Sequence, residues 1–188
     1  MPRVGTWLVL ALSFGIAIPS VASNPREWVA PGPNLALGKP YALTQAGKLL
    51  PYALTADEGD KTQLTDGRLA PTRFIWHSKA SFGRFTGTTG MAIDLGEIRS
   101  IGGVGYSSDG AFNAGVGYPP AILILVSDNG QDYRVVGELV GLASKFGPPP
   151  WAGRHWFRTN DLKTHGRYVQ FVVQSGLFVF TDEVEVYE

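Results

Sequence analysis

Short runs of β-branched and aromatic residues alternate with turn signals along most of the chain, and helical periodicity is almost absent. In the run 167–174, Val169, Phe171 and Val173 fall on one face under the two-residue period of a strand, so we expect them to point into the core. The pair Asn129 and Gly130, between two such runs, is a strong hairpin signal. The pattern predicts an all-β domain with strands at 91–95, 100–106, 121–127, 133–139, 167–174 and 177–187.

Four long connections separate these runs, at 41–61, 77–90, 107–120 and 141–154. Loops of roughly 12 to 15 residues without structure of their own are uncommon in a compact domain, and they usually serve binding. We therefore expect the functional residues on these loops.

The N-terminus has the layout of a secretory signal peptide. Arg3 precedes the apolar run 7–18, and small residues lead to Ser23, after which we expect cleavage. The apolar run is shorter than the roughly 20 residues of a membrane-spanning helix. We predict a signal peptide at 1–23, a linker at 24–33 and one domain at 34–188 in a secreted or periplasmic protein. A buried N-terminal helix is the alternative.

Composition narrows the classes of ligand. The chain has no cysteine, which excludes a disulfide framework and a thiolate metal site. Its 16 basic and 16 acidic residues are scattered, so nothing predicts nucleic acid as a partner, and a membrane surface is less favoured. Neutral ligands are favoured by elimination, and the sequence leaves the oligomeric state open.

Six ordered segments carry a resemblance to the coagulation factor type C domain, also called the discoidin domain. They are NLALGKP (34–40), LTDG (64–67), IDLGEIRSIGGVGY (93–106), ILVSDNGQDYRVV (124–136), GRYVQFVV (166–173) and DEVEVYE (182–188). The resemblance spans 34–188 and implies a galactose-binding-like fold, a jelly-roll β-sandwich. Many animal members tie their ends with a cysteine pair, which this chain lacks. It is more similar to the microbial members that serve as family 32 type carbohydrate-binding modules.

The resemblance also implies a structural calcium ion, which many relatives hold near an Asp-Gly turn and a glutamate of the last strand. Carried over to this sequence, the ligands are Asp66, the carbonyl of Arg68 and Glu183. Calcium prefers six to eight hard oxygen ligands, which two carboxylates and turn carbonyls can supply in part. Thr72 follows an insertion and is a doubtful ligand. Strand alternation places Glu185 on the same face as Glu183, and we expect only one of the two to bind metal.

Asp66 and Glu183 also have a simpler interpretation, which involves no metal. Asp66 can cap the backbone of its own turn, and Glu183 can pair with an arginine or a backbone amide.

Sugar recognition requires an aromatic ring that stacks on a pyranose and polar groups that bond its hydroxyls. The resemblance implies a site on the loops at one end of the sandwich, without a fixed motif. From side-chain chemistry and loop position, our candidate ligand-binding residues are His77, Arg84, Phe112, Asn113 and Trp151.

The other aromatic residues have structural alternatives. Trp76 stands at the place of a core tryptophan in the family, so we expect it to be buried. Trp156, which we place next to a strand start at Phe157, could serve the core or a ligand equally well. Phe112 could instead pin its loop onto the sandwich.

The sequence contains no nucleophile elbow, no zinc-protease motif and no phosphate-binding loop, so we predict a protein without catalytic activity. Two alternatives to carbohydrate binding remain. One is adhesion to phospholipid or a cell surface through the segment 78–87, and the other is a protein-interaction scaffold.

Overall fold

The computed structural model describes residues 25–45, 48–49, 61–84 and 87–188. Its strands are β1 (Tyr41–Gln45), β2 (Lys48–Leu49), β3 (Phe82–Arg84), β4 (Gly87–Ile101), β5 (Gly103–Ala111), β6 (Ile122–Ser127), β7 (Arg134–Glu138), β8 (Ala152–Thr159), β9 (Thr164–Ser175) and β10 (Val179–Tyr187). The helices are α1 (Leu139–Ala143) and the 3-10 helices Ile75–His77, Phe112–Ala114 and Ser144–Phe146.

The strands form two antiparallel sheets that pack face to face. The larger sheet has the order β2-β1-β4-β9-β6-β7, and the smaller has the order β3-β10-β5-β8. Because consecutive strands are distributed between the two sheets, the chain crosses repeatedly over the core. The predicted all-β sandwich is confirmed.

Apolar residues at alternate positions fill the space between the sheets. Val169, Phe171 and Val173 of β9 are buried as predicted, and Val184 of β10 is buried opposite them. Tyr106 of β5 reaches Phe171 with 6.1 Å between ring centroids. Burying each such side chain contributes about 1.5–3 kcal/mol relative to leaving it exposed.

The predicted strand 100–106 is wrong, because the chain reverses direction within it at Gly102. β4 ends one residue earlier and β5 begins one residue later. The amide of Gly102 donates to the carbonyl of Tyr187 at 2.9 Å, and a Cβ at this position would lie 2.8 Å from the carbonyl oxygen of Glu188. Close approach of the C-terminal residues therefore requires glycine at this turn.

All four of the predicted loops contain regular structure. β1 and β2 lie inside 41–61, and β3 and the start of β4 lie inside 77–90. The end of β5 lies inside 107–120, and the end of α1 and the start of β8 lie inside 141–154. The end of β5 was predicted as a loop because its residues are polar, yet Ser107, Ser108 and Asp109 are fully buried. Each of the three forms a hydrogen bond with a buried partner, which permits polar residues in a buried strand. Within 41–61, residues 46–47 and 50–60 lie outside the described residues.

The segment 25–33, predicted as a linker, packs along the sandwich. The guanidinium of Arg158 lies 4.3 Å from the ring centroid of Trp28, which is 5.3 Å from the ring of Tyr187. The amide of Arg26 donates to the carbonyl of Lys145 at 3.0 Å. The predicted signal peptide 1–23 lies outside the described residues. None of the helices in the described ranges has the length and apolar character needed to cross a membrane.

Candidate functional site at the loop end

One end of the sandwich gathers the connections that carry most of the candidate residues. β5 and β9 end there, and β4, β6, β8 and β10 begin there. Val116 pairs with Ala111 and with Phe178, which joins the connection after β5 to the one before β10. We call this region the loop end; it comprises residues 74–77, 111–118, 147–153 and 176–180.

Exposed aromatic and aliphatic side chains form a patch on the loop end, which we call the Trp151 patch and which consists of Phe112, Trp151 and Leu177. These side chains are 44%, 76% and 41% exposed, respectively. The rings of Phe112 and Trp151 are 5.4 Å apart at an angle of 46°. Apolar side chains that cluster in solvent at one place are typical of a binding surface.

Local backbone geometry explains why Phe112 points outward. It begins a 3-10 helix that ends at Gly115, whose φ of 72° turns the chain back so that Val116 pairs with Ala111. A residue with a side chain strains this left-handed conformation. Asn113, in the middle of the same helix, is exposed beside Phe112.

Trp151 follows three prolines that precede β8. Prolines fix φ and lower the entropy that the loop loses on ordering. Tyr118 ties the neighbouring loop to the same strand, because its hydroxyl donates to the carbonyl of Gly153 at 2.6 Å. The ring of Tyr118 lies 6.3 Å from that of Phe112 and so supports the patch from below.

A second aromatic cluster stands on the same end, built from Phe74, Trp76, His77, Phe178 and Phe180. The rings of Phe74 and Trp76 stack at 4.7 Å, and Trp76 lies 5.9 Å from His77 and 6.2 Å from Phe180. The expected burial of Trp76 in the core is wrong. It is only partly buried, because it packs on a small separate cluster around Ile75 and Phe180.

Buried carboxylates hold the loop that carries Trp76. Asp182 of β10 accepts from the amide of Ala70 at 2.9 Å, from Nη2 of Arg154 at 2.7 Å and from the hydroxyl of Ser107 at 2.6 Å. Asp109 of β5 accepts from the amide of Ile75 at 3.1 Å. Burial raises the pKa of the Asp109 carboxyl. Both acids therefore have structural roles, which the sequence did not predict. The available signal was the presence of acidic residues within strands.

The structure brings together three of the five candidate ligand-binding residues. Phe112, Asn113 and Trp151 adjoin one another, and His77 stands exposed in the second aromatic cluster. Arg84 ends β3, where its backbone pairs with Val179, and its side chain lies outside the described part of the chain.

Trp156 lies outside the core, so the first of its two predicted alternatives is wrong. β8 begins at Ala152 rather than at Phe157, so Trp156 lies in mid-strand on the outer face of the smaller sheet. The guanidinium of Arg158 stacks over its ring at 3.7 Å and also donates to Glu185 at 3.0 Å. Glu185 therefore has an arginine partner.

The predicted calcium ligands lie around the turn 64–68. The Glu183 carboxyl is 1% exposed; its Oε1 accepts from the amide of Gly67 at 3.1 Å, whereas its buried Oε2 has no hydrogen-bond partner among the described residues. Burial first, and then the nearby charge of Asp66, raises the pKa of Glu183 to about 8. Asp66 is exposed and accepts from the amide of Arg68 at 2.8 Å. No group of three acidic or histidine side chains in the described ranges is arranged to hold a metal.

Thr72 belongs to the loop rather than to this site. Its hydroxyl donates to the carbonyl of Phe74 at 2.8 Å. The donor set at the turn thus consists of two carboxylates and the turn carbonyls, all of them the hard oxygens that calcium prefers.

No protein-family model matches the sequence, and no curated protein matches it in a sequence comparison. Solved structures are similar in fold. A family 32 carbohydrate-binding module from Clostridium perfringens, in complex with GalNAc-β-1,3-galactose, is 17% identical with a TM-score of 0.57, over 83% of this chain and 100% of that one. Chitosan-binding module 2 of a chitosanase/glucanase from Paenibacillus sp. IK-5, in complex with chitotriose, is 19% identical with a TM-score of 0.52, over 82% and 100%.

A fucose-binding module from Streptococcus pneumoniae is 15% identical, with a TM-score of 0.50, and the match covers 86% of this chain and 99% of that one. At these identities the similarity concerns the fold. The predicted galactose-binding-like architecture is thereby confirmed: the chain has the β-sandwich fold of the discoidin-like carbohydrate-binding modules.

Proposed function

We propose that this protein is a non-catalytic carbohydrate-binding module that binds a neutral glycan at the Trp151 patch. The observation that carries the proposal is the 76% exposure of the Trp151 side chain within 5.4 Å of the Phe112 ring. An exposed indole costs hydration free energy, and a pyranose face stacked on it recovers that cost.

Polar groups around the patch complete the requirements of a sugar site. Asn113 offers an amide that both donates and accepts, and it makes no hydrogen bond with another described side chain or backbone group. His77 extends the surface beside Trp76. Asp109 and Asp182 are buried beneath the loops, and Arg154 pairs with Asp182 there.

Adhesion to a membrane surface is the second candidate, and the apolar character of the loop end favours it. Within the segment 78–87, Phe82 is buried in the core, and residues 85 and 86 lie outside the described part. The exposed side chains of Phe112, Trp151, Leu177 and Phe178 would be the inserting groups instead.

A glycan array with the full-length protein tests the proposal, with vesicles of anionic phospholipid assayed in parallel. We expect binding to neutral glycans that Trp151→Ala weakens by at least about tenfold and that Ile98→Ala leaves unchanged, since Ile98 is an exposed apolar residue of β4 (56% exposed) away from the loop end. Vesicle capture without glycan binding would instead identify a membrane module. Binding to neither the glycan array nor the vesicles would overturn both functions and leave a scaffold role.

The residues of the Asp-Gly turn support a structural calcium ion as part of this proposal. Glu183 would bind through its unpartnered Oε2, Asp66 would add a second carboxylate, and the carbonyl of Arg68 would add a backbone oxygen. A bound cation also resolves the cost of burying the Glu183 carboxylate without a partner. Calorimetric titration of chelator-treated protein with calcium checks this, with Glu183→Gln as the variant that should not bind.

Export follows from the N-terminal pattern rather than from the fold. We expect the protein recovered from the periplasm or the medium to begin at Asn24, after removal of 1–23. N-terminal sequencing decides this, and an intact Met1 in the exported fraction would contradict it.

A further inference from the structure

A groove of about 490 Å³ lies on the outer face of the six-stranded sheet, away from the loop end. Its floor contains Ala42 of β1 and Ala92 of β4, which are direct partners in the sheet. Tyr133 and Tyr168 form its walls, and the hairpin between β6 and β7 closes one side at Gly130. The volume lies within the range of about 300–1,000 Å³ that is typical of small-ligand sites.

The sequence creates this concavity by placing small residues between large ones on the same face. Two-residue alternation turns Ala92 and Asp94 of β4 outward while Ile93 is buried in the core. Asp94 is the sheet partner of Tyr168, so the wall rises directly beside the alanine floor. A Cβ at Gly130 would lie 3.2 Å from the Tyr168 ring, so the hairpin packs closely on that ring.

The groove is pre-formed, because hydrogen bonds fix its hairpin wall. The Oδ1 atom of Asn129 accepts from the amides of Gln131 and Asp132, both at 2.9 Å, and its Nδ2 donates to Asp132 at 2.8 Å. These bonds satisfy the side chain of Asn129, which is therefore a structural part of the wall. Gln131 lines the groove from an exposed position, and its side-chain amide faces solvent.

Charge in the groove is balanced. Nε and Nη2 of Arg167 each donate to Asp94 at 2.7 Å, and this bidentate pair lowers the pKa of the Asp94 carboxyl. The guanidinium also lies 5.0 Å from the centroid of the Tyr168 ring. A paired carboxylate gains little from a cationic ligand and repels an anionic one, but its lone pairs can still accept from a hydroxyl.

The two tyrosines supply both surfaces that a sugar requires. Neither hydroxyl makes a hydrogen bond with another described residue, and both rings face the groove. Burial, followed by the proximity of Tyr168 and Asp94, raises the pKa of Tyr133, so this hydroxyl stays a donor at neutral pH. Rings, hydroxyls and a neutralised carboxylate around a small apolar floor match the alternating faces of a pyranose.

We propose that this groove is a second ligand site, which binds one pyranose unit of a neutral glycan independently of the Trp151 patch. Asp94 lies seven positions along β4 from Gly87, where the strand begins at the loop end, which corresponds to about 23 Å. The groove lies on a sheet face and the Trp151 patch lies on the loop end, so a polysaccharide that engages both sites gains avidity beyond either affinity.

The test is a titration of the isotope-labelled full-length protein, followed by amide resonances. The probes are the neutral trisaccharides cellotriose, maltotriose, xylotriose and mannotriose. We expect saturable shifts at Ala92, Gly130 and Tyr168 with at least one probe. Tyr168→Ala should weaken that binding by about tenfold, and Trp151→Ala should leave it within about twofold.

Two further variants distinguish a loss of the groove from a loss of the fold. Ala92→Leu fills the floor without touching the core, and it should abolish the groove shifts while the melting temperature stays close to that of the native protein. Val135→Ala is the matched control, an exposed residue of β7 outside the groove lining, and it should change nothing.

The outcomes separate this site from the loop end. The absence of saturable groove shifts with every probe would overturn the proposal, as would shifts that survive both Tyr168→Ala and Ala92→Leu. Shifts at Asn113 alone would support the loop-end site and refute the groove. Shifts at the groove residues alone would support the groove and refute the loop-end site.

Discussion

Asp182 and Glu183 are neighbours in β10 and both are buried, yet their surroundings differ completely. Asp182 accepts from Arg154, Ala70 and Ser107, so its charge is paired inside the protein. Glu183 accepts a single amide and keeps one oxygen without a partner among the described residues. The irregular pairing between Thr181 and Glu183 directs the two side chains to different loops. A paired buried carboxylate holds a loop in place, whereas an unpaired one creates a demand for a cation.

Asp182→Ala should have the largest effect of the variants on this comparison. It leaves Arg154 and the amide of Ala70 without their partner, and we expect a loss of about 3 kcal/mol, at the low end for a broken buried pair because Arg154 is partly exposed. Chemical denaturation measures the loss. An effect below about 1 kcal/mol would show that the network does not anchor the loop.

Glu183→Gln should have the opposite effect in the presence of a chelator. Removing a buried carboxylate that lacks a full set of partners should stabilise the metal-free protein at pH 8, on the order of 2 kcal/mol. With calcium the native protein should gain stability and the variant should not. Thermal melts with calcium and with chelator check both statements, and a native protein that is indifferent to calcium would refute the metal site.

The pH dependence of stability follows from the same group. The pKa of Glu183 is raised from its usual 4.5 to about 8 in the folded protein, so between these values the folded state holds a proton that the unfolded state has released. In the presence of a chelator, the stability of the protein should therefore decrease as pH rises through this window, and Glu183→Gln should reduce this dependence on pH. Melts between pH 5 and pH 8 measure the slope, and an equal slope in the variant would assign it elsewhere.

Glu185→Gln should have the smallest effect. Its carboxylate pairs with Arg158 in a partly exposed position, and the guanidinium keeps its stacking on Trp28 and Trp156 after the substitution. We expect a loss of about 1 kcal/mol or less in denaturant unfolding. A loss as large as that of Asp182→Ala would show that exposure does not distinguish the acids of β10.

The sequence predicted the parts of the fold that depend on local patterns. The alternation in β9 and the hairpin at Asn129 and Gly130 both require only neighbouring residues, and both are present as expected. The turn at Gly102 was missed because contact with Glu188, far away in sequence, determines it. Trp76 was misplaced because its burial depends on which cluster it packs against.

The sites show the same division. Aromatic residues in Gly- and Pro-rich connections indicated Phe112 and Trp151 as candidates, whereas Leu177, expected within a strand, was missed. The groove could not be predicted, because it depends on the register that pairs Ala42 with Ala92 and Asp94 with Tyr168. Pairing register between distant strands is a property of the folded chain rather than of any local pattern.

Glycan binding at the loop end is tested most directly by the affinity of the full-length protein and its Trp151→Ala variant for the strongest neutral glycan found on the array. We expect the variant to bind at least about tenfold more weakly, as the loss of a stacking ring requires, with an unchanged melting temperature. Equal affinities for the two proteins would contradict the site.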